Sequence, residues 1–410
     1  MARERRRQAP TLRKIVFSWC RGDSSAHEPF LAVDEVDHGE YARCMKTRYL
    51  LMLVVVGLLL SGCGFIFNQP RVGPDGAIAL FIVDDGAYMM LPEGDCHLVL
   101  LRDGELVHLD NVASSGDSGV LDWSADGSKI LFIETEQDEL GQPIAWNVLI
   151  SGVQSDSQSV RLFRSENIIL APQFTSEGSI TYLDLKDDKD LPQLMVYDPL
   201  QEEYAVLKDD VISYRRLGWD GMLITISQTA EGSLKLAHVS SYDVMTDATE
   251  EIGSFFLSQG MEEMLFLLPA AFLWDVASSS DYIALSLYDQ ALISPQMEDN
   301  SEEPPLYLID RDEDSAYMVS DRGLVPAFSM DGSLLSYIGA TGENNDIPVV
   351  ILYDLETHEE QVLDGTIGAA TQFWIDNKTL GFAIEIGTDT YKLMKVTLLT
   401  GEITQLLPKT

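Results

Sequence analysis

The stretch Trp123-Ser-Ala-Asp126-Gly127-Ser-Lys-Ile130-Leu-Phe-Ile133 decides the fold of this chain, because its pattern returns later in the sequence. Phe328-Ser-Met-Asp331-Gly332-Ser-Leu334 is nearly a duplicate, and Phe174-Thr-Ser-Glu177-Gly178-Ser-Ile180 is a third copy. Each copy has a bulky residue, then an Asp-Gly-like turn, then an apolar run rich in strand-forming residues. Self-similarity at a fixed spacing is typical of repeat architectures.

Weaker copies bring the number of repeats to seven. The turns lie near residues 75, 126, 177, 220, 280, 331 and 376, a mean spacing of about 50 residues. That length accommodates four strands of about five to six residues with their turns. Asp-Gly supplies the positive φ angles of a tight hairpin, so each turn is predicted to join two antiparallel strands. The strand that follows, as in residues 130–133, is apolar on both faces and must be covered on both sides.

Repeated four-stranded units with two covered faces predict an all-β fold, a β-propeller with seven four-stranded blades. Six or eight blades stay open, because the Ser-x-Asp-Gly core is broken in the fourth and fifth repeats. Separate β-sandwiches would lack the fixed period, and a solenoid repeat is usually shorter. We expect strands at 65–70 and 402–407, so that the last blade completes itself. The alternative pairs residues 65–67 with the last blade.

The motif Trp/Phe-Ser-x-Asp-Gly-Ser resembles the WD-like repeats of TolB-type propellers, which also occur in the propeller domains of prolyl-oligopeptidase-type proteins. The resemblance covers residues 65–407. It implies protein partners at the cell envelope. Prolyl-oligopeptidase relatives also carry a hydrolase domain with a Gly-x-Ser-x-Gly motif, and this sequence contains no such motif.

Residues 45–62 have the layout of a secretory signal peptide: a basic start at Met45-Lys-Thr-Arg, an apolar run over 49–60, and small residues at the end. The apolar run is shorter than the ~20 residues of a membrane span. Leu60-Ser61-Gly62-Cys63 resembles the lipobox of bacterial lipoproteins. In that family the chain would be cut between Gly62 and Cys63, and Cys63 would be lipidated. An ordinary signal peptide, or a short buried helix with a stray cysteine, is the alternative.

Residues 1–44 precede this signal, although a signal normally opens a protein. They contain the arginine-rich segment 3–7 and two cysteines, Cys20 and Cys44, and show no clear hydrophobic period. We interpret them as a disordered extension from a mis-annotated gene start, with Met45 as the start residue. A cytosolic extension that binds through its arginines is the rival interpretation. The propeller domain is then 63–410, held close to the bilayer.

The chain has 27 Lys+Arg against 66 Asp+Glu, a formal net charge of −39. Residues 1–62 hold 10 of these cations and 7 of these acids, so the 348 residues from Cys63 onward carry −42. Such a field repels nucleic acids and anionic headgroups, so we predict no nucleic-acid partner and membrane attachment through the lipid on Cys63. Beyond Cys63 the sequence has one further cysteine, Cys96, which excludes a disulfide framework.

Gly116-Asp117-Ser118-Gly119 copies the nucleophile motif of chymotrypsin-like proteases, which also need a histidine base. The four histidines beyond Cys63 stand apart in the sequence: His97, His108, His238 and His358. We interpret the motif as a loop that leads into the first strand of the second repeat.

The segment from Asp310 to Asp321 resembles a calcium-binding loop in the spacing of its acidic residues Asp310, Asp312, Asp314 and Asp321, but it has Ser315 at the position where that loop needs glycine. The segment fits a hairpin turn instead. A second acidic group, Asp184, Asp187, Asp188 and Asp190, has no regular spacing. We predict no metal, no cofactor and no catalytic residue.

Two segments depart from the repeat. Residues 254–271 are unusually apolar and fit either a blade strand with a covering loop or a partner-binding protrusion. Residues 290–305 fit an acidic loop inside the fifth repeat. The function predicted from sequence is a lipid-anchored extracytoplasmic module that binds, scaffolds or senses proteins at the bacterial cell envelope, not an enzyme. The alternative is a hydrolase or lyase that uses carboxylates in the propeller channel.

Overall fold

The computed structural model describes most of the predicted propeller domain. The described residues are 69–83, 88–89, 96–112, 118–139, 143–154, 157–186, 191–217, 221–231, 234–257, 273–278, 281–286, 305–311, 315–341, 347–387 and 390–407. The predicted extension, the signal peptide and its cleavage site at Gly62 and Cys63 lie outside them.

The described strands form seven blades, each with four strands joined as neighbours in chain order. Blades 1 and 2 contain β1 Arg71–Val72, β2 Ile78–Val83, β4 Cys96–Arg102, β5 Glu105–Val112, β6 Ser118–Trp123, β7 Lys129–Gln137, β8 Pro143–Gly152 and β9 Val160–Ser165, whereas the short strand β3 Tyr88–Met89, between β2 and β4 in the chain, belongs to neither. Blades 3 and 4 contain β10 Ile168–Phe174, β11 Ile180–Leu185, β12 Gln193–Asp198, β13 Glu203–Lys208, β14 Val211–Leu217, β15 Met222–Glu231, β16 Leu234–Asp243 and β17 Ala248–Leu257.

Blades 5 to 7 continue this pattern. They contain β18 Trp274–Val276, β19 Tyr282–Ser286, β20 Leu306–Asp310, β21 Ser315–Ser320, β22 Leu324–Phe328, β23 Leu334–Thr341, β24 Ile347–Asp354, β25 Glu360–Val362, β26 Ala369–Asp376, β27 Thr379–Gly387, β28 Thr390–Thr397 and β29 Glu402–Leu407. The predicted seven-bladed β-propeller is confirmed, although the motif is broken in blades 4 and 5.

The first strands of neighbouring blades contact one another around the ring, so they form the innermost layer. The hydrophobic core is divided into seven clusters, and each cluster is shared by two neighbouring blades. The second strands are covered on both faces, as predicted: Ile130, Leu131 and Phe132 have exposed fractions of 0%, and Ile133 of 2%. Alternate side chains of β7 therefore belong to different clusters.

The ring is closed by packing between blades 7 and 1. Leu80 of blade 1 and Leu393 of blade 7 are fully buried in one cluster. Blade 7 contains only consecutive strands, β26 to β29, and β3 from the β2–β4 connection pairs with its third strand. The last blade therefore completes itself, as predicted. The first described strand begins at Arg71, and Gln69 and Pro70, which belong to the predicted strand at 65–70, are not in a strand. The remainder of that prediction, residues 65–68, lies outside the described part of the chain.

The repeated turns join the first and second strands, as predicted, but their geometry differs from a tight Asp-Gly hairpin. Gly127 and Gly332 have φ angles of 67° and 71°, whereas the aspartates before them do not have positive φ. Asp126 Oδ1 instead accepts hydrogen bonds from the Ser124 hydroxyl at 2.6 Å and from the Ser128 amide at 3.0 Å. Asp331 repeats this arrangement in blade 6. The motif therefore encodes an aspartate cap that fixes the turn.

This cap predicts sensitivity to acid. The hydrogen bonds, first that of Ser124 and then those of Ser128, lower the pKa of Asp126 from 3.8 to about 2, and the corresponding bonds lower the pKa of Asp331. A lowered pKa in the folded state stabilises the fold above the unfolded-state pKa, and this contribution is lost as the pH falls through the folded-state value. The double variant Asp126→Asn and Asp331→Asn is expected to lose less stability than the parent between about pH 4 and pH 2.

Urea unfolding at several pH values measures this difference in slope. Glu177→Gln in the corresponding turn of blade 3 is the control, because the Thr175 hydroxyl there is buried without a hydrogen-bond partner. Parallel stability curves for the parent and the double variant would contradict the cap.

Candidate functional site

The residue five positions before the turn glycine occupies the same place on each first strand. In blades 1 to 4 this residue is, in turn, Arg71 before Gly76, Asp122 before Gly127, Gln173 before Gly178 and Arg216 before Gly221. Blade 5 lacks the turn glycine, but its turn has an equivalent backbone hydrogen bond: the Ala277 amide donates to the Tyr282 carbonyl, as the Ser124 amide donates to the Lys129 carbonyl in blade 2. Asp275 and Asp122 each lie two residues before the donor, so they occupy the same position. Five successive blades therefore present a charged or amide side chain at one level of the innermost strands.

Backbone bulges set the direction of these side chains. The pairing of first and second strands shifts between Val120 and Asp122, and between Leu170 and Gln173. In blade 3 the bulge includes Ala171, whose φ is 47°, and its carbonyl accepts the Tyr214 hydroxyl of blade 4 at 2.6 Å. Such bulges redirect side chains within a strand. They precede the aligned position here and help to place its side chain.

Arg216 joins three blades. Its Nη1 donates to Asp122 Oδ2 at 2.7 Å and its Nη2 to Asp122 Oδ1 at 3.2 Å, so the guanidinium holds the carboxylate with two nitrogens. Nη1 also donates to the carbonyl of Phe174 at 2.6 Å. Arg216 lies on blade 4 and Asp122 on blade 2, so the side chain passes blade 3 on the inner side of the ring. Paired bonds of this type are among the strongest hydrogen bonds in proteins.

A second ion pair joins blades 4 and 5. Arg215 Nη1 lies 3.0 Å from Asp275 Oδ1, and the Arg215 Cζ lies 5.7 Å from the ring centre of Trp274. Both pairs keep a little contact with solvent, since the exposed fractions of the four side chains lie between 16% and 20%. The two carboxylates also accept backbone amides of the next blade, Asp122 from Phe174 and Asp275 from Phe328, each at 2.8 Å.

Arg71 of blade 1 lies close to both pairs but forms neither an ion pair nor a side-chain hydrogen bond with any described residue. Its Nε is buried without a partner, and so is the Nε of Arg215. Burial first, and the charge of Arg215 second, lower the pKa of Arg71 to about 10, while Asp122 and Asp275 act in the opposite direction. Arg71 is therefore still a cation near neutral pH.

We call Arg71, Asp122, Arg215, Arg216 and Asp275 the channel cluster. Its three arginines and two aspartates give a net charge of +1, in a chain whose formal net charge is −39. Charges of the chain farther away than about 10 Å are largely screened at 0.1 M salt, so the local excess decides which ions are attracted. The arrangement can hold one negatively charged group.

The other candidates predicted from the sequence do not belong to the channel cluster as defined here. The hairpin predicted at 310–314 is confirmed by the pairing of β20 with β21, although Asp312 and Asp314 are outside the described residues. Among the described residues no group of three or more His, Cys, Asp and Glu could hold a metal ion. Cys96 is buried and forms no disulfide with a described residue. Ser118 begins β6, the first strand of blade 2, as predicted for the Gly116–Gly119 motif, and Gly116 and Asp117 are not described.

The two departing segments are seen only in part. Residues 254–257 belong to β17, and the rest of the apolar segment up to 271 is not described. The acidic segment 290–305 lies between β19 and β20 in sequence, and residues 290–304 are outside the described part. Asp184 is buried, which raises its pKa, and Asp187, Asp188 and Asp190 are not described. The described residues include no helix long and apolar enough to cross a bilayer.

Sequence reasoning missed the channel cluster, although a signal was present. The repeated motif begins at the bulky residue, and the position in question lies just before the start of the motif. Arg71, Asp122, Gln173, Arg216 and Asp275 all precede that position, on strands that are otherwise largely apolar. Charged residues at a fixed repeat position of an innermost strand indicate a polar channel.

A seven-bladed propeller with a charged channel cluster thus defines the class of this protein, and comparisons with known proteins agree at the level of the fold. The propeller domain of the Trilobed protease from Pyrococcus furiosus is similar with a TM-score of 0.51 at 12% identity, over 83% of this chain and 95% of that one. That propeller is described as having an open velcro topology. Puromycin hydrolase is similar with a TM-score of 0.53 at 13% identity, over 83% of this chain and 53% of that one.

This chain therefore spans about half the length of puromycin hydrolase. TolB from Acinetobacter baumannii is also among the similar structures, with a TM-score of 0.43 at 12% identity over 76% of this chain and 77% of that one. Neither a comparison with models of protein families nor one with curated proteins gave a match. The identities are so low that these similarities show the fold alone.

Proposed function

We propose that this protein is a lipid-anchored extracytoplasmic propeller that binds a protein partner at the bacterial cell envelope. The anchor rests on the sequence Leu60-Ser61-Gly62-Cys63. The binding role rests on the channel cluster, whose groups are arranged to hold a ligand and not to exchange protons with one.

The state of the two carboxylates supports binding over catalysis. A general acid or base must be free to exchange a proton with the substrate. Asp122 is engaged by two nitrogens of Arg216 and by the Phe174 amide, and Asp275 by Arg215 and the Phe328 amide. A hydrolase or lyase that uses these carboxylates would first have to break both ion pairs.

Chain direction suggests how the anchored propeller is oriented. The chain enters β1 at Gln69 from one face, and because strands alternate in direction, the first-to-second and third-to-fourth turns lie on the opposite face. Gln69 is six positions after Cys63 in the chain, which limits the tether to about 20 Å. We therefore place the entry face next to the bilayer and the face with the turns, here called the turn face, away from it.

The turn face carries features of a partner site. Leu200, Met245 and Leu399 lie in third-to-fourth turns and have exposed fractions of 91%, 68% and 89%. Asp126 and Asp331 lie in first-to-second turns of other blades, on the same face. Apolar side chains among acids fit a partner with a basic surface and small apolar pockets.

A photo-crosslinking amino acid tests this proposal in the cells that make the protein. Placed at Leu399, it is expected to give a discrete crosslinked product with one envelope protein. The control position is Glu166, whose side chain is 81% exposed on the entry face, and it is expected to give no such product. Equal crosslinking from both positions, or none from either, would refute the turn face as the partner site.

The anchor is tested in the same strain. Cys63→Ala is expected to abolish incorporation of labelled fatty acid and to release the protein from the membrane fraction, so that the crosslink from Leu399 weakens. Cys96→Ala is the matched control, because Cys96 is buried inside blade 1. Fatty acid labelling that persists in Cys63→Ala would overturn the lipid assignment.

A further inference from the structure

The uncompensated cation of the channel cluster is Arg71. Arg215 and Arg216 each have a carboxylate partner, at 3.0 and 2.7 Å, and Arg71 has none among the described residues. A buried or half-buried charge is normally paired, because desolvation without a partner is unfavourable. The buried Nε atoms of Arg71 and Arg215 likewise lack acceptors.

From this geometry we infer that the channel cluster binds a single carboxylate group, with Arg71 as its main ligand and Arg215 as the second. This inference deepens the proposed function and rests on it only for the identity of the partner. The guanidinium fork matches a planar carboxylate with paired hydrogen bonds.

Charge favours a carboxylate over a phosphate group. One carboxylate balances the net +1 of the cluster, whereas a phosphate group carries a charge of about −1.5 to −2 near neutral pH and would leave the site negative beside Asp122 and Asp275. Solvent reaches the cluster, as the exposed fractions of 16–20% show. A small free acid and a side chain or C-terminus of the partner protein are the two sources of such a carboxylate, and the test separates them.

Isothermal titration of the purified full chain, with acetate, acetamide and phosphate as probes, tests the site. We expect saturable binding of acetate, weaker binding of phosphate and none of acetamide. Arg71→Gln is expected to weaken acetate binding by about tenfold to a hundredfold, since charged hydrogen bonds contribute that much. Arg102→Gln is the matched control, because Arg102 pairs with Asp75 at an exposed position, and it should bind like the parent.

Two further arms make each result decisive. A short peptide with a free C-terminal carboxylate is compared with the same peptide carrying a C-terminal amide, which shows whether a protein carboxylate enters the site. If the peptide with the free carboxylate binds more tightly than acetate, the site is assigned to the partner protein. If Arg71→Gln does not fold, Arg71→Lys, which keeps the charge but not the guanidinium group, replaces it in the titration. Phosphate binding as tight as acetate binding, acetate binding unchanged in Arg71→Gln, or no saturable binding by any carboxylate would overturn the inference. The titration contains no partner protein, so a negative result would refute the carboxylate site without affecting the crosslinking test of the proposed function at Leu399.

Discussion

Replacing Arg216 with methionine is expected to lower the free energy of unfolding by about 3 kcal/mol, the lower end of the range for breaking a buried ion pair. The side chain holds Asp122 of blade 2 and the Phe174 carbonyl of blade 3 from blade 4, so one substitution removes a link across three blades. The remaining Asp122 carboxylate is 16% exposed and is left without its counter-charge. Urea unfolding followed by circular dichroism measures the loss.

The same site offers a second variant that separates charge from packing. Adding Asp122→Asn to Arg216→Met removes the unpaired charge while it keeps an acceptor for the Phe174 amide, so the double variant should recover part of the lost stability. Arg102→Met is the surface control, because its pair with Asp75 is 42% and 48% exposed and such pairs contribute about 0–1 kcal/mol. A double variant less stable than Arg216→Met alone would show that the ion pair does not explain the loss.

Replacing Trp274 with alanine is expected to cost about 3–5 kcal/mol, the range for truncating a large aromatic side chain in a core. Trp274 has an exposed fraction of 0% and packs in the cluster shared by blades 4 and 5. Its Nε1 donates to the Ser213 hydroxyl at 2.9 Å, and its ring lies next to Arg215. The substitution therefore opens a cavity between two blades and removes one wall of the channel cluster.

Graded variants test this account. Trp274→Phe keeps most of the ring but leaves the Ser213 hydroxyl without its donor, so a smaller loss of about 1–3 kcal/mol is expected. Ser213→Ala in the Trp274→Phe background should then cost little more, because both hydrogen-bonding groups are gone. The midpoint of urea unfolding orders the four proteins. A Trp274→Ala protein that unfolds at the same urea concentration as the parent would contradict the burial of this residue.

Much of the fold follows from local patterns. The spacing of about 50 residues between turns gave seven units, since each unit must supply four strands. The apolar run 130–133 required cover on both faces, and the blades on each side supply it. The turn residues were identified correctly, but their geometry was not, because the aspartate acts through its side-chain acceptors and the positive φ belongs to glycine.

The candidate site illustrates what local patterns leave out. Arg71, Asp122 and Arg216 lie tens of residues apart, and their shared repeat position does not show which of them form a pair. In the folded ring, residues at the same repeat position lie at the same height along the channel. The Arg216 side chain on blade 4 therefore reaches the Asp122 carboxylate on blade 2.

The amino-acid sequence by itself indicated the strands of the repeats, the positions of the turns and seven as the preferred number of blades, and it is the basis of the predicted anchor at Cys63, because these depend on residues close together in the chain. Tertiary structure decided which charges pair and which stays uncompensated, because pairing depends on distances across the ring. Arg215 and Arg216 are neighbours in sequence, yet they bind carboxylates of different blades, and Arg71 is left as the cation without a partner among the described residues.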